Sequence, residues 1–148
     1  LLGVIASLRA LGVGLPQALN VCAQLQAVPG RMEKVSLEDN AKLPLTLVDY
    51  AHTPDAVTQT LLALKPFAKS LGSKLWCVLG CGGDRDASKR PLMAAAAEAV
   101  ADHVVITSDN PRSEQAQHIA ADMLKGLKAP QAVYQELDRA KDRIRFSR

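Results

Sequence analysis

Three polar clusters carry residue types suited to holding a small charged ligand: Asp49 with His52, Arg85, and the run Ser108-Asp109-Asn110-Pro111-Arg112-Ser113-Glu114. An arginine offers a planar fork that pairs with a carboxylate or phosphate through two parallel hydrogen bonds. Arg85 and Arg112 together therefore suit a ligand with more than one anionic group. Asn110 can donate and accept, and Asp109 can take an ammonium. Pro111 fixes its own φ and pushes Asn110 toward extended backbone, so the run holds its polar side chains stiffly. Two arginines, an amide and a carboxylate match a zwitterion with an extra carboxylate. The same run also fits an ordinary turn whose Asp and Asn cap a following helix, and these residues alone leave both readings open.

A parallel sheet is the element that could position these clusters. Residues 45–49, 75–79 and 104–107 are short apolar runs. Each is followed by polar residues and then a helical pattern, with a period of about 30 residues that suits βαβ units. The clusters then fall at strand ends, the edge where open α/β sheets bind ligands because strand-end loops and helix N-termini converge there. Gly80, Gly82 and Gly83 allow the backbone to approach a neighbour or ligand closely. Thr53 as N-cap, Pro54 and Asp55 start a first helix with Val57, Leu61, Leu64 and Ala68 on its buried face. Pro66 lacks a donor and predicts a kink or restart near Lys65. A second, alanine-rich helix begins near Pro91. A third runs through Ile119, Met123 and Leu127 and stops at Pro130. Val133-Tyr134 reads as a fourth strand and residues 139–145 as the start of another helix. Upstream, Leu1, Leu2, Ile5 and Leu8, then Leu15, Ala18, Leu19, Cys22 and Leu25, set two helices. Val28-Pro29-Gly30 ends the second, which places a helical appendage over 1–28 and an α/β unit over 29–148.

At 148 residues and 48% hydrophobic content the chain suits one good core with an appendage. Lys and Arg number 18 against 15 Asp and Glu, a net charge of +3, and aromatics make up 3%. Neither a basic face nor stacking rings argue for nucleic acid. No apolar run approaches the roughly 20 residues of a membrane span. Three cysteines in apolar surroundings fit a reducing, cytoplasmic setting. Gly80 to Gly83 lacks the third spaced glycine of a dinucleotide loop, and Cys77 with Cys81 lacks the second pair of a zinc site. His103, at a helix end, and His118 read as surface residues, and Trp76 as packing.

Four segments then match a known family. PGRMEKV (Pro29–Val35), VDYAHTPDA (Val48–Ala56), GCGGDRDASKRPLM (Gly80–Met93) and SDNPRSE (Ser108–Glu114) resemble, in order and approximate spacing, the carboxy-terminal part of the Mur ligases. The Asp-Asn-Pro-Arg tetrad is similar to that of members using meso-diaminopimelate in preference to lysine. The resemblance implies an α/β fold, a Rossmann-like open sheet that is mostly parallel with helices on both faces. Residues 1–28 would be the helical tail of a central ATP-binding domain, and 29–148 an incomplete C-terminal amino-acid-binding domain. It further implies that Arg31 and Asp49 reach ATP with His52 in the same nucleotide-facing loop, and that Arg85, Asp109, Asn110, Pro111 and Arg112 hold meso-diaminopimelate. The implied reaction adds that amino acid to UDP-N-acetylmuramoyl-L-alanyl-D-glutamate in peptidoglycan synthesis, through an acyl phosphate, with ATP and Mg²⁺ held mainly upstream.

Departures from the family set further expectations. No G-x-x-x-x-G-K-[ST] loop and no Gly-Lys-Gly-His-Glu-like segment occurs, so the chain alone is expected to be catalytically silent, with no catalytic residue or metal ligand of its own. Ala87-Ser88 stands where relatives often have Lys-Gly, a change in a solvent-facing turn. Residues 143–148 do not match the family and suggest a truncated or frameshifted end. The alternative is a stand-alone nucleotide- or phosphate-binding α/β module without chemistry.

Overall fold

The computed structural model describes residues 2–22, 24–25, 28–35 and 44–138. The helix expected over 139–145 lies outside them. The chain divides into two compact units, one up to Tyr50 and one from Ala51 onward. In the first, α1 (Leu2–Ala10) and α2 (Leu15–Cys22) flank a turn in which Gly12 takes φ +87°. Neither helix buries its stripe. No residue of α1 and only Ala18 of α2 is buried, which leaves Leu2 83% and Leu11 80% exposed. α2 ends at Cys22, before Leu25 of the expected stripe.

The same unit corrects one strand assignment. β2 (Thr46–Val48), expected as the first strand of the parallel sheet, instead pairs antiparallel with β1 (Glu33–Val35), Glu33 facing Val48 and Val35 facing Thr46. Gly30 at φ +69° and Met32 at φ +51° bend the chain so that 33–35 runs beside 46–48. The Met32 N–H donates to Asp49 Oδ2 at 3.0 Å and holds the ribbon's end. A three-residue strand with two charges carries no readable alternation, so β1 gave no signal in the sequence.

In the second unit, β3 (Trp76–Leu79), β4 (His103–Thr107) and β5 (Tyr134–Glu136) form a parallel sheet in that order. Cys77 faces Val104, and Val105 faces Tyr134. α3 (Pro54–Ser70) precedes β3, α4 (Lys89–Val100) links β3 to β4, and α5 (Ala116–Leu124) lies between β4 and β5. Thr53 caps α3 as expected, with Ala56 N–H donating to its Oγ1 at 3.2 Å. The helix continues through Pro66 without a break or restart. Pro66 and Leu62 are exposed, so water can satisfy the Leu62 carbonyl that the proline leaves without its N–H partner. α5 stops at Leu124, short of Leu127, and Pro130 opens a single 3₁₀ turn. A Cβ on Gly126 would sit 1.9 Å from the Pro91 carbonyl oxygen, so glycine is what lets the chain pass against α4 there.

Val57 and Leu61 of α3, Met93, Ala94 and Ala97 of α4, and Ile119, Ala120 and Met123 of α5 share one core with Leu79, Val104 and Ile106. By strand alternation these sheet residues lie on one face, which the described helices cover. The other face carries Trp76 stacked on His103 at 4.2 Å, with the Tyr134 ring 5.6 Å from Trp76. His103 thus opens a strand and does not end a helix. Val78 and Tyr134 on this face remain more than half exposed. Among the described residues no helix is long and apolar enough to cross a membrane.

Candidate functional site

Two loops leave the carboxyl edge of neighbouring strands, 80–88 after β3 and 108–115 after β4. They meet backbone to backbone. The Gly83 N–H donates to the Asn110 carbonyl at 2.9 Å. A Cβ on Gly80 would lie 2.9 Å from the Thr107 carbonyl oxygen, and one on Gly83 would lie 1.9 Å from that of Pro111. Glycine is required here for space. At Gly82 both arginines come close to one point: a Cβ there would meet Arg112 Nη1 at 3.3 Å, the Asn110 carbonyl oxygen at 3.7 Å and Arg85 Cγ at 3.8 Å. Arginines from separate strands thus flank one spot at the sheet's carboxyl edge.

Their settings differ. Arg112 takes φ +48°, a left-handed conformation costing about 1 kcal/mol or more for a residue with a Cβ. Its N–H donates to Asn110 Oδ1 at 3.2 Å, and its Nη1 donates to the Gly83 carbonyl. One nitrogen of the fork is therefore committed to the frame. Asn110 turns its oxygen inward to shape the loop, which leaves its amide as the group able to donate outward. Arg85 is exposed and makes no hydrogen bond or ion pair among the described residues. Asp109 is exposed and Pro111 half-buried. Ala87 and Ser88 face solvent, in a turn closed by Ser88 Oγ donating to Asp86 Oδ1 at 2.6 Å.

A residue not singled out in the sequence, Arg90, lies beneath the site. Its side chain is 4% exposed. Nη2 pairs with Glu114 Oε1 at 2.6 Å and Nη1 with Asp122 Oδ2 at 3.0 Å. Its Nε is buried with no hydrogen-bond partner among the described residues. Glu114 Oε1 also accepts the Asp84 N–H at 2.6 Å, and Asp84 Oδ1 accepts the Ser113 hydroxyl at 2.5 Å. A signal for Arg90 existed. It stands at helical spacing ahead of Met93, Ala94 and Ala97, a charge on an otherwise apolar stripe.

The carboxylates of this network are held below their ordinary range. For Glu114 the chief cause is the Arg90 hydrogen bond, followed by the Asp84 N–H. For Asp84 it is the Ser113 hydroxyl, and for Asp122 it is Lys125 ahead of Arg90.

Of the residues assigned to the nucleotide, Arg31 and Asp49 belong to the first unit, where the Arg31 guanidinium lies 5.4 Å from the Tyr50 ring centre and Asp49 accepts the Met32 N–H. His52 is exposed and belongs to the second unit. Among the described residues no group of three or more His, Cys, Asp or Glu side chains could hold a metal ion.

Residues 30–145 match the model of the Mur ligase, glutamate ligase domain. The UDP-N-acetylmuramoyl-L-alanyl-D-glutamate–2,6-diaminopimelate ligase of Acidovorax sp. (strain JS42) is 59% identical over 140 residues, 95% of this chain and 27% of that protein. A solved structure of a ligase of that name is 39% identical with a TM-score of 0.61, over 91% of this chain and 26% of the other. The folylpolyglutamate synthase of Thermotoga maritima superposes with a TM-score of 0.64 at 23% identity, over 90% of this chain and 30% of that one, a likeness of fold. The chain thus spans about a quarter of the length of the curated relatives it matches. With four motifs in order, a parallel sheet whose loops interlock at its carboxyl edge, and a domain match over most of its length, the chain belongs to the Mur ligase family.

Proposed function

We propose that this chain is the amino-acid-binding part of an ATP-dependent ligase that joins meso-diaminopimelate to UDP-N-acetylmuramoyl-L-alanyl-D-glutamate. The observation that carries the reading is the approach of Arg112 Nη1 and Arg85 Cγ, from neighbouring strand-end loops, to one point at Gly82. Diaminopimelate carries a carboxylate and an ammonium at each end. Lysine ends in an ammonium alone, so a second guanidinium fork recognises the carboxylate that lysine lacks. Asp109 takes the ammonium beside it, and the Asn110 amide donates to the carboxylate. Pinning one end leaves the other amine to attack the activated glutamate, so position and orientation are what this chain supplies.

In this reading ATP phosphorylates the γ-carboxyl of the nucleotide-linked glutamate and leaves as ADP. The amine then adds to the acyl phosphate, and phosphate departs as the amide forms. Arg31, Asp49 and His52 face the nucleotide, which residues outside this chain hold in the main. Residues 1–28 are the tail of that nucleotide-binding domain, which accounts for an apolar stripe left unburied on α1 and α2.

Titration calorimetry on the chain tests the reading. Weak binding of meso-diaminopimelate is expected, lost in Arg112→Ala and in Arg85→Ala, with no heat from L-lysine. Equal binding of lysine, or diaminopimelate binding indifferent to Arg112, overturns it. Tight ATP binding without diaminopimelate binding points instead to a free-standing nucleotide module.

A further inference from the structure

Resting on that reading, we infer that Arg90 and Glu114 form a clamp that sets the spacing of the two ligand-holding arginines, so that they act as positioning residues for the amino-acid substrate while touching none of it. Arg85 and Arg112 sit on loops from different strands, and strand pairing alone does not fix how far apart two loop tips stand. Something must hold the loops in register. The Gly83 N–H to Asn110 carbonyl bond does so at one point. Another is Glu114, in the loop bearing Arg112, whose Oε1 accepts the N–H of Asp84, the residue immediately before Arg85.

Glu114 cannot hold that place unaided. It stands in an acidic neighbourhood with Asp84 and Asp122, and mutual repulsion would swing its carboxylate toward water. Arg90 prevents this. Its guanidinium, almost wholly buried, bridges Glu114 and Asp122, and so ties the loop to both α4 and α5. Asp84 and Arg112 each adopt a positive φ, an arrangement that survives only where its surroundings over-determine it. The clamp supplies that constraint to Asp84 directly and to Arg112 through Ser113, whose hydroxyl and N–H both donate to Asp84.

The test uses a full-length enzyme, the Acidovorax relative with this chain in place of its corresponding quarter. Glu114→Ala is the cleanest variant, because it removes the pin on Asp84 and leaves the Arg90–Asp122 tie to the core. KM for meso-diaminopimelate is expected to rise about tenfold to a hundredfold, the scale of a misplacement near 1 Å. KM for ATP is expected to stay within about twofold, as for sites without shared partners. Arg90→Met should behave likewise, and Arg90→Lys should recover part of the loss, since one ammonium can neutralise Glu114 but cannot bridge both acids. Unchanged diaminopimelate KM in Glu114→Ala overturns the clamp. So does an equal rise in both KM values, which is what general loosening of the fold produces, and so does an Arg90→Lys variant no better than Arg90→Met. If the parent chimera does not use meso-diaminopimelate at all, the functional reading fails first. If the parent uses it and the variants are indifferent, the clamp alone is wrong.

Discussion

Replacing Gly83 with alanine should part the two loops of the site. The added Cβ would lie 1.9 Å from the Pro111 oxygen and 2.6 Å from its carbonyl carbon, both backbone atoms that cannot turn aside. Contacts below 3.0 Å essentially never occur, so the loops must separate by roughly 1 Å. That stretches the Gly83 N–H to Asn110 bond from 2.9 Å beyond hydrogen-bonding range and draws the Gly83 carbonyl away from Arg112. Two hydrogen bonds account for about 2 kcal/mol and overpacking for about 1–3, while the stiffer unfolded chain of alanine returns about 0.5–1. The net destabilisation is about 3 kcal/mol, or roughly 1.5 M in urea midpoint at a slope near 2 kcal/mol/M. Trp76, the chain's one tryptophan, belongs to the unit concerned, so its fluorescence follows that transition. Gly82→Ala is the control. There the new Cβ meets the Arg112 side chain at 3.3 Å, which has to give by only a few tenths of an ångström, and a cost under about 1 kcal/mol is expected. A Gly83→Ala chain with the wild-type midpoint refutes the interlocked-loop geometry.

Acid should weaken the same region. Glu114, Asp84 and Asp122 have folded pKa values below their unfolded ones, so their contribution is complete above the ordinary carboxylate range and is lost as pH falls through the folded values. Stability measured by urea titration should be flat from pH 7 to 5 and should fall below about pH 4. The fall should be shallower in Arg90→Met, which removes the main cause of the Glu114 shift, and an unchanged slope contradicts the assignment. Burial pushes the Cys77 and Cys81 thiols up to about 11. Disulfide-exchange labelling at pH 8 should therefore reach these two only on unfolding, and fast native labelling seen by mass spectrometry would count against the buried core.

The residues that carry a local physical signature were legible in the sequence. Thr53-Pro54-Asp55 marked a helix start because capping, a preset φ and the dipole act within a single turn. Residues 75–79 and 104–107 marked strands because apolar runs bounded by turn residues leave few alternatives. The strand at 33–35 was missed because its order depends on a distant partner and on positive φ at Met32, neither of which composition expresses. Pro66 called for a kink or a restart, and the helix does not restart there, because the carbonyl that the proline leaves unpaired is open to water. The two arginines could be named from residue type and strand-end position. Arg90 could not be given its part without knowing that Glu114 and Asp122, on other elements, converge upon it.

The meeting of the two loops through main-chain atoms separates the frame of the site from its fittings. Gly80 and Gly83 set the gap through contacts that no side chain mediates, while Arg85 and Asp109 are exposed residues carried on that frame. On the proposed function, redesign of ligand preference starts at those two exposed positions, where a new side chain inherits a ready-made scaffold. A change at either glycine alters the scaffold itself and with it every fitting at once.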